Sequence, residues 1–337
     1  MDLSDDVRSR DFLHRHARTP LREAYLAAGV PCEIATNSEL LLKLAGASFR
    51  QNVEQGNRRS SGLSLRFWVD ESDMARSPWP SPYVRGVGHL VYAGFGSKNS
   101  FIADLLTRRV AGRFSAAMVS DSRYWRSTIF PMLMSIVAGS LGLVEVHSAC
   151  VARGGNGLLL IGAGRSGKST QAVALMRLGF RALSDDRTFC SIREGKLVSY
   201  GLPRPIKLRE DAGSWFEEFQ GRKPRDVQNG EAVFLSESNS TEAHESLEPC
   251  EPRAIVFLER NGEGCRISRM KRSDVRSRIE ADLLPETAEA VKDQQCVIEA
   301  LSSLPCWHLQ YGARPEVIAE QIARLLPRDT KLNTDHQ

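Results

Sequence analysis

The sequence predicts an α/β protein of two parts: a domain with a mixed sheet built around one glycine-bearing strand, loop and helix, preceded by a smaller α+β domain. Three observations predict it. Gly157-Leu158-Leu159-Leu160-Ile161 is a short apolar run of the kind that forms a buried strand. It feeds the turn Gly162-Ala163-Gly164-Arg165-Ser166-Gly167, after which Lys168-Ser169-Thr170 opens an amphipathic pattern ending at Gly179. The 337 residues, 42% hydrophobic and 26% charged, are enough for about two ordinary globular domains.

Residues 1–125 are expected to form the smaller domain, 126–327 the larger one and 328–337 a flexible tail. In the first, Pro20-Leu21-Arg22-Glu23-Ala24-Tyr25-Leu26 reads as a short helix. Thr36–Ala45 reads as a better one, capped by Asn37 or Ser38 and stopped by Gly46. Leu63–Val69 alternates as a strand, Ser77–Pro82 is a proline-rich loop, and His89–Gly94 and Ser100–Leu105 suggest further strands. No catalytic pattern occurs here, so substrate presentation and homo-oligomer formation are the open roles.

In the second domain, Ile129–Leu141 is too short to span a bilayer and reads as a buried helix. Leu143–Val151 reads as one alternating strand, with Arg153–Gly157 as a hairpin turn before the glycine-bearing unit. Phe180–Ser184 is a short strand ending in Asp185-Asp186, and Thr188–Ile192 with Leu197–Tyr200 forms a second hairpin. Residues 211–252 are the least ordered by composition, above all the polar stretch Ser236–Ser246. Ala254–Leu258 is a buried strand. Ser273-Asp274 caps a helix bearing Val275, Ile279 and Leu283. Trp307–Gly312 is a last strand, and a final helix from Pro315 buries Val317, Ile318, Ile322 and Leu325.

Composition excludes several classes. Lys and Arg number 45 against 41 Asp and Glu, and a net charge of +4 over this length makes no case for nucleic acid. Seven scattered cysteines without a C-x-x-C pair read as reduced thiols, most of them filling the core of a cytoplasmic protein. The acidic start Met1–Asp6 with no apolar run behind it predicts no targeting segment, and no membrane partner is expected.

Gly162 to Ser169 matches G-x-x-x-x-G-K-[ST] at every position, in the strand, loop, helix setting that this phosphate-binding motif (the P-loop) requires. Backbone N–H groups and a helix N-terminus face the phosphates of a nucleotide such as ATP, and side chains would block the approach, hence Gly162, Gly164 and Gly167. The nucleotide-binding set is Gly162, Ala163, Gly164, Arg165, Ser166, Gly167, Lys168, Ser169 and Thr170. Lys168 supplies a point charge, and the Ser169 hydroxyl is a hard oxygen ligand for Mg²⁺. Asp185-Asp186, one strand later, can complete the site: one carboxylate for the metal, the other to accept a proton from an attacking hydroxyl. His147 falls on the same face of its expected strand as Glu145 and Ala149.

His147, the loop Gly162–Ser169 and Gly179-Phe180-Arg181-Ala182-Leu183-Ser184-Asp185-Asp186 together resemble the catalytic domain of the HPr kinase/phosphorylase family. The HPr-kinase-related peptide serine kinases resemble it more closely, through Ser166-Gly167-Lys168-Ser169-Thr170, Leu183-Ser184-Asp185-Asp186 and Pro203-Arg204-Pro205. The resemblance covers about 140–210 and implies an HPr kinase/PEP carboxykinase-like fold and ATP- and Mg²⁺-dependent transfer to a serine of a protein or peptide. It implies Lys168 on the phosphates, Ser169 and Asp186 on the metal, Asp185 as proton acceptor and His147 as an orienting group. Thr170 stands where the bifunctional enzymes carry Glu, and their Glu-Val-Arg-Gly stretch has no counterpart, which argues against phosphorylase activity and against HPr as substrate. A nucleotide-binding regulatory or assembly protein, and a small-molecule kinase, remain the alternative readings.

Overall fold

The computed structural model describes residues 18–51, 62–71, 77–202, 206–227, 231–236, 248–262, 264–281 and 288–326. It is a mixed α/β chain that divides into two compact units, Met1–Gly142 and Leu143–Gln337.

The first unit is built on an eight-stranded sheet. Its strands are β1 (Leu21–Ala27), β2 (Val30–Thr36), β3 (Arg50–Gln51), β4 (Leu63–Asp70), β5 (Tyr83–Val87), β6 (Leu90–Gly94), β7 (Ser100–Asp104) and β8 (Arg109–Ser115). They lie in the order β3-β1-β2-β4-β8-β7-β6-β5, with β4 parallel to both of its neighbours. The segment expected as a helix at Pro20–Leu26 is strand β1. Ala28 and Gly29, both at positive φ, turn the chain back, and a register running from Leu21↔Thr36 to Ala27↔Val30 pairs all seven residues. Ladder bonds and burial of Tyr25 outweigh the weak helix propensity of Arg-Glu-Ala. The helix Glu39–Gly46 forms as expected, with Ser38 rather than Asn37 as its cap, while the Asn37 amide bonds both backbone groups of Val69.

Trp125 packs edge-on against Phe67, Phe114 and Phe130, and Phe130 against Phe49. Arg126–Gly142, with its helix Phe130–Val137, therefore belongs to the first unit and not to the second, as a boundary at 125/126 would have it.

The second unit centres on a six-stranded sheet of β10 (Ser148–Arg153), β11 (Asn156–Ile161), β12 (Arg181–Ser184), β18 (Glu251–Arg260), β19 (Cys265–Arg269) and β20 (Cys306–Tyr311), in the order β12-β10-β11-β18-β20-β19. β11, β18 and β20 run parallel; β10 and β19 run against their neighbours. The apolar run of β11 is continuous because both faces are covered. Leu158 and Leu160 pack with Ala172, Leu175, Ile318 and Ile322 of the helices Lys168–Arg177 and Pro315–Ala323. Leu159 and Ile161 face Val275, Ile279, Val297, Ile298 and Leu301 of the helices Arg272–Ala281 and Ala288–Ser302. Val317, expected in the core, is 49% exposed, and Leu283 lies outside the described residues.

Two smaller sheets complete the unit. β9 (Val144–Val146), β13 (Thr188–Arg193) and β14 (Lys196–Tyr200) form one, in which the expected hairpin is present. β15 (Ile206–Arg209), β16 (Arg225–Val227) and β17 (Glu231–Ser236) form the other, with β17 central. The reading of 211–252 as the least ordered stretch is thus corrected for 211–227 and 231–236. Phe216, Phe219 and Phe234 pack ring to ring and anchor the segment in the core, an effect that average polarity conceals. Residues 237–247 lie outside the description. Among the described residues no helix is long and apolar enough to cross a membrane.

Candidate functional site

The parallel strands β11, β18 and β20 end at the same edge of the sheet, the edge at which open α/β sheets place their ligand crevices. The glycine-rich loop Gly162–Gly167 leaves β11 there, and the helix Lys168–Arg177 begins immediately after it. Close packing makes Gly162 obligatory: a Cβ at that position would lie 2.4 Å from Ser166 Oγ and 2.6 Å from the Leu258 carbonyl. Gly167 has φ +92°, and its Cβ would lie 1.9 Å from the Tyr311 hydroxyl. Around Gly164 nothing lies within 4 Å of a notional Cβ, so protein atoms do not demand glycine there and the space is open on the ligand side. Gly162→Ala is expected to cost about 1–3 kcal/mol of stability through overpacking, read as a lower thermal midpoint, whereas Gly164→Ala should leave the midpoint unchanged.

Lys168 is 9% exposed and donates from Nζ to the carbonyls of Gly162 at 2.6 Å and Ala163 at 3.4 Å. Its charge is thereby held inside the curve of the loop. Ser166 N bonds Ala163 O at 3.1 Å to close the turn, and Ser166 Oγ is buried with no hydrogen-bond partner among the described residues. Arg165 is exposed at positive φ, and Ser169 and Thr170 are half-buried in the first helical turn, where backbone N–H groups have no partner within the helix. Sequence reasoning anticipated these residues.

The acidic pair is brought to the same edge by β12, two strands from the loop. β10 separates β12 from β11 and runs against both, so β12 and β11 point the same way. The strand expected over Leu143–Val151 is in fact two: the chain leaves one sheet at Val146 and enters another at Ser148, and His147 sits at the change. His147 therefore does not share a continuous strand face with Glu145 and Ala149. Glu145 pairs with Arg187 at 2.7 Å, Ala149 is buried, and His147 Nε2 lies 3.0 Å from Asp186 Oδ1. Ser148 is the ladder partner of Ile161, so His147 directly precedes and Gly162 directly follows one paired position of the sheet.

Asp185 is 6% exposed and accepts from the Lys207 amide at 3.4 Å, whereas the Asp186 side chain is 44% exposed. A buried hydroxyl chain lies under the turn. Ser148 Oγ donates to Thr188 Oγ1 at 2.9 Å, Thr188 Oγ1 meets Ser184 Oγ at 2.6 Å, and Ser184 Oγ accepts from the Cys150 amide at 3.1 Å. Sequence reading missed this chain and the Tyr311 contact, since neither forms a local pattern. Arg204 and its flanking prolines lie outside the described residues.

All seven cysteines are free thiols, five of them buried. Among the described residues no group of three or more His, Cys, Asp or Glu side chains could hold a metal. Mg²⁺ needs no such cage, since one or two oxygen ligands with phosphate oxygens and water suffice, and Ser169 with Asp186 offers that hard-oxygen set. The buried Ser166 hydroxyl, the open face at Gly164 and the buried Lys168 likewise fit a phosphate chain.

No family model and no curated protein matches the chain. Among solved structures it is similar to the HPr(Ser) kinase/phosphatase from Coxiella burnetii, at 10% identity and a TM-score of 0.29, over 53% of this chain and 93% of that one. At that level the likeness assigns no function.

Proposed function

We propose that the chain is an ATP-dependent serine kinase acting on a protein or peptide. The observation that carries this reading is what shares one edge of the sheet: the glycine-rich loop follows β11, the Asp185-Asp186 turn follows β12, which points the same way, and Asp186 pairs with His147, the residue before the Ser148–Ile161 pair. A loop that only senses nucleotide needs no acidic turn at the same edge of the sheet; a phosphoryl transferase does.

The loop amides and Lys168 would hold the phosphate chain, and Ser169 and Asp186 would hold Mg²⁺. The half-exposed position of Asp186 leaves room for the waters that Mg²⁺ retains. When bound, the metal neutralises charge on the phosphates and orients them. Asp185, withdrawn from bulk water, takes the proton of the acceptor serine as its oxygen attacks the γ-phosphorus in line with the departing β-phosphate oxygen, and ADP leaves. His147 holds the Asp186 carboxylate in place. Of the two units, the second carries all of these residues.

The test is an array of serine-bearing peptides incubated with γ-labelled ATP and Mg²⁺. Label should appear on serine, depend on Mg²⁺ and vanish with Lys168→Met. If the wild-type protein binds ATP yet labels neither the array nor proteins of a cell extract, the regulatory reading replaces this one.

A further inference from the structure

Tyr311 closes β20, which is separated from β11 by β18, yet its hydroxyl reaches over the intervening strand to the glycine-rich loop. There it donates to the Ser166 carbonyl at 2.7 Å and occupies the volume that any side chain at Gly167 would need. The phenol is 4% exposed. Burial raises its pKa above the ordinary tyrosine value, against the lowering influence of the neighbouring Gln171 amide and Arg260, so the hydroxyl keeps its proton and stays a donor at neutral pH.

The peptide unit between Ser166 and Gly167 is rigid and planar, and in a trans unit the carbonyl and the following N–H point in opposite directions. A carbonyl turned out toward Tyr311 therefore turns the Gly167 N–H the other way. We infer that Tyr311 is a positioning residue of the glycine-rich loop: its bond to the Ser166 carbonyl aims the Gly167 N–H at the phosphate chain. The inference rests on the nucleotide-binding part of the reading above. It explains why the loop needs glycine at 167 on two counts, the backbone angle and the clearance for the phenol.

The experiment uses inorganic tripolyphosphate, which presents the phosphate chain without base or sugar, titrated into the full chain and into Tyr311→Phe. The ring is kept, so packing is kept, and only the aiming bond is lost. Dissociation constants for tripolyphosphate and KM for ATP should rise about tenfold, the cost of one hydrogen bond, while kcat stays within about twofold. In the wild-type protein the Gly167 amide proton should move downfield in a ¹⁵N–¹H spectrum when tripolyphosphate is added, a measurement that needs no variant. Unchanged affinity in Tyr311→Phe, a fall in kcat at constant KM, or a Gly167 amide indifferent to tripolyphosphate each overturns the role while leaving the kinase reading standing. Failure of the wild-type chain to bind tripolyphosphate removes both.

Discussion

Replacing Asp185 with asparagine is expected to slow transfer to serine by about a thousandfold while KM for ATP changes less than about threefold, because the substitution removes a proton acceptor and leaves shape and loop intact. Asp185 is buried, and the Lys207 amide already donates to it. Asparagine can accept that bond through its own carbonyl oxygen but cannot take up the serine proton. Single-turnover labelling compared with ATP binding by titration separates the two effects. If Asp185→Asn still transfers at near the wild-type rate, the base is another group, and Asp186 would be the next to test. His147→Ala should act differently, with a smaller loss that falls on Mg²⁺ dependence, since His147 touches the Asp186 carboxylate and not Asp185.

The second large effect concerns Lys168→Met, for which kcat/KM for ATP is expected to fall by about a hundredfold to a thousandfold, on the order of 3–4 kcal/mol of transition-state stabilisation. Its Nζ is held by the Gly162 and Ala163 carbonyls, at the point where a phosphate chain would enter, so its charge is already in position and little reorganisation accompanies binding. Methionine keeps most of the apolar length and discards the charge, which confines the loss to electrostatics. Lys168→Arg should not restore activity. A planar guanidinium cannot occupy the compact site that the ammonium fills inside the loop. Steady-state kinetics over a range of ATP concentrations checks both variants, and a Lys168→Met protein with unchanged kcat/KM would end the phosphate-binding assignment.

Much of the second unit was legible in the chain. Leu158 to Ile161 could only be a strand covered on both faces, and the glycines before Lys168 required a tight turn into a helix. The Ser38 cap, the hairpin turns and the β18 and β20 runs were likewise readable, because period and punctuation are local signals, whereas Ser273 and Asp274, expected as a cap, lie inside a helix that begins at Arg272. The readings that failed share a cause. The Leu21–Ala27 segment has helix-compatible composition but is claimed by strand partners at Val30–Thr36 and Arg50–Gln51. The polar stretches 211–227 and 231–236 are anchored by three phenylalanines too widely spaced to register as a pattern. Trp125–Leu141 is bound into the first unit by rings contributed from Phe49, Phe67 and Phe114.

Residue order alone determined which groups could meet a phosphate chain, since a glycine-bearing loop, a lysine and a hydroxyl at fixed spacing on consecutive positions have almost no freedom to be elsewhere. Tertiary structure decided what faces that loop. The switch between sheets at His147, the carriage of Asp186 to its side and the reach of Tyr311 across β18 depend on strand order and register. They join residues well separated along the chain, 145 positions in the case of Ser166 and Tyr311, and no local spacing encodes them.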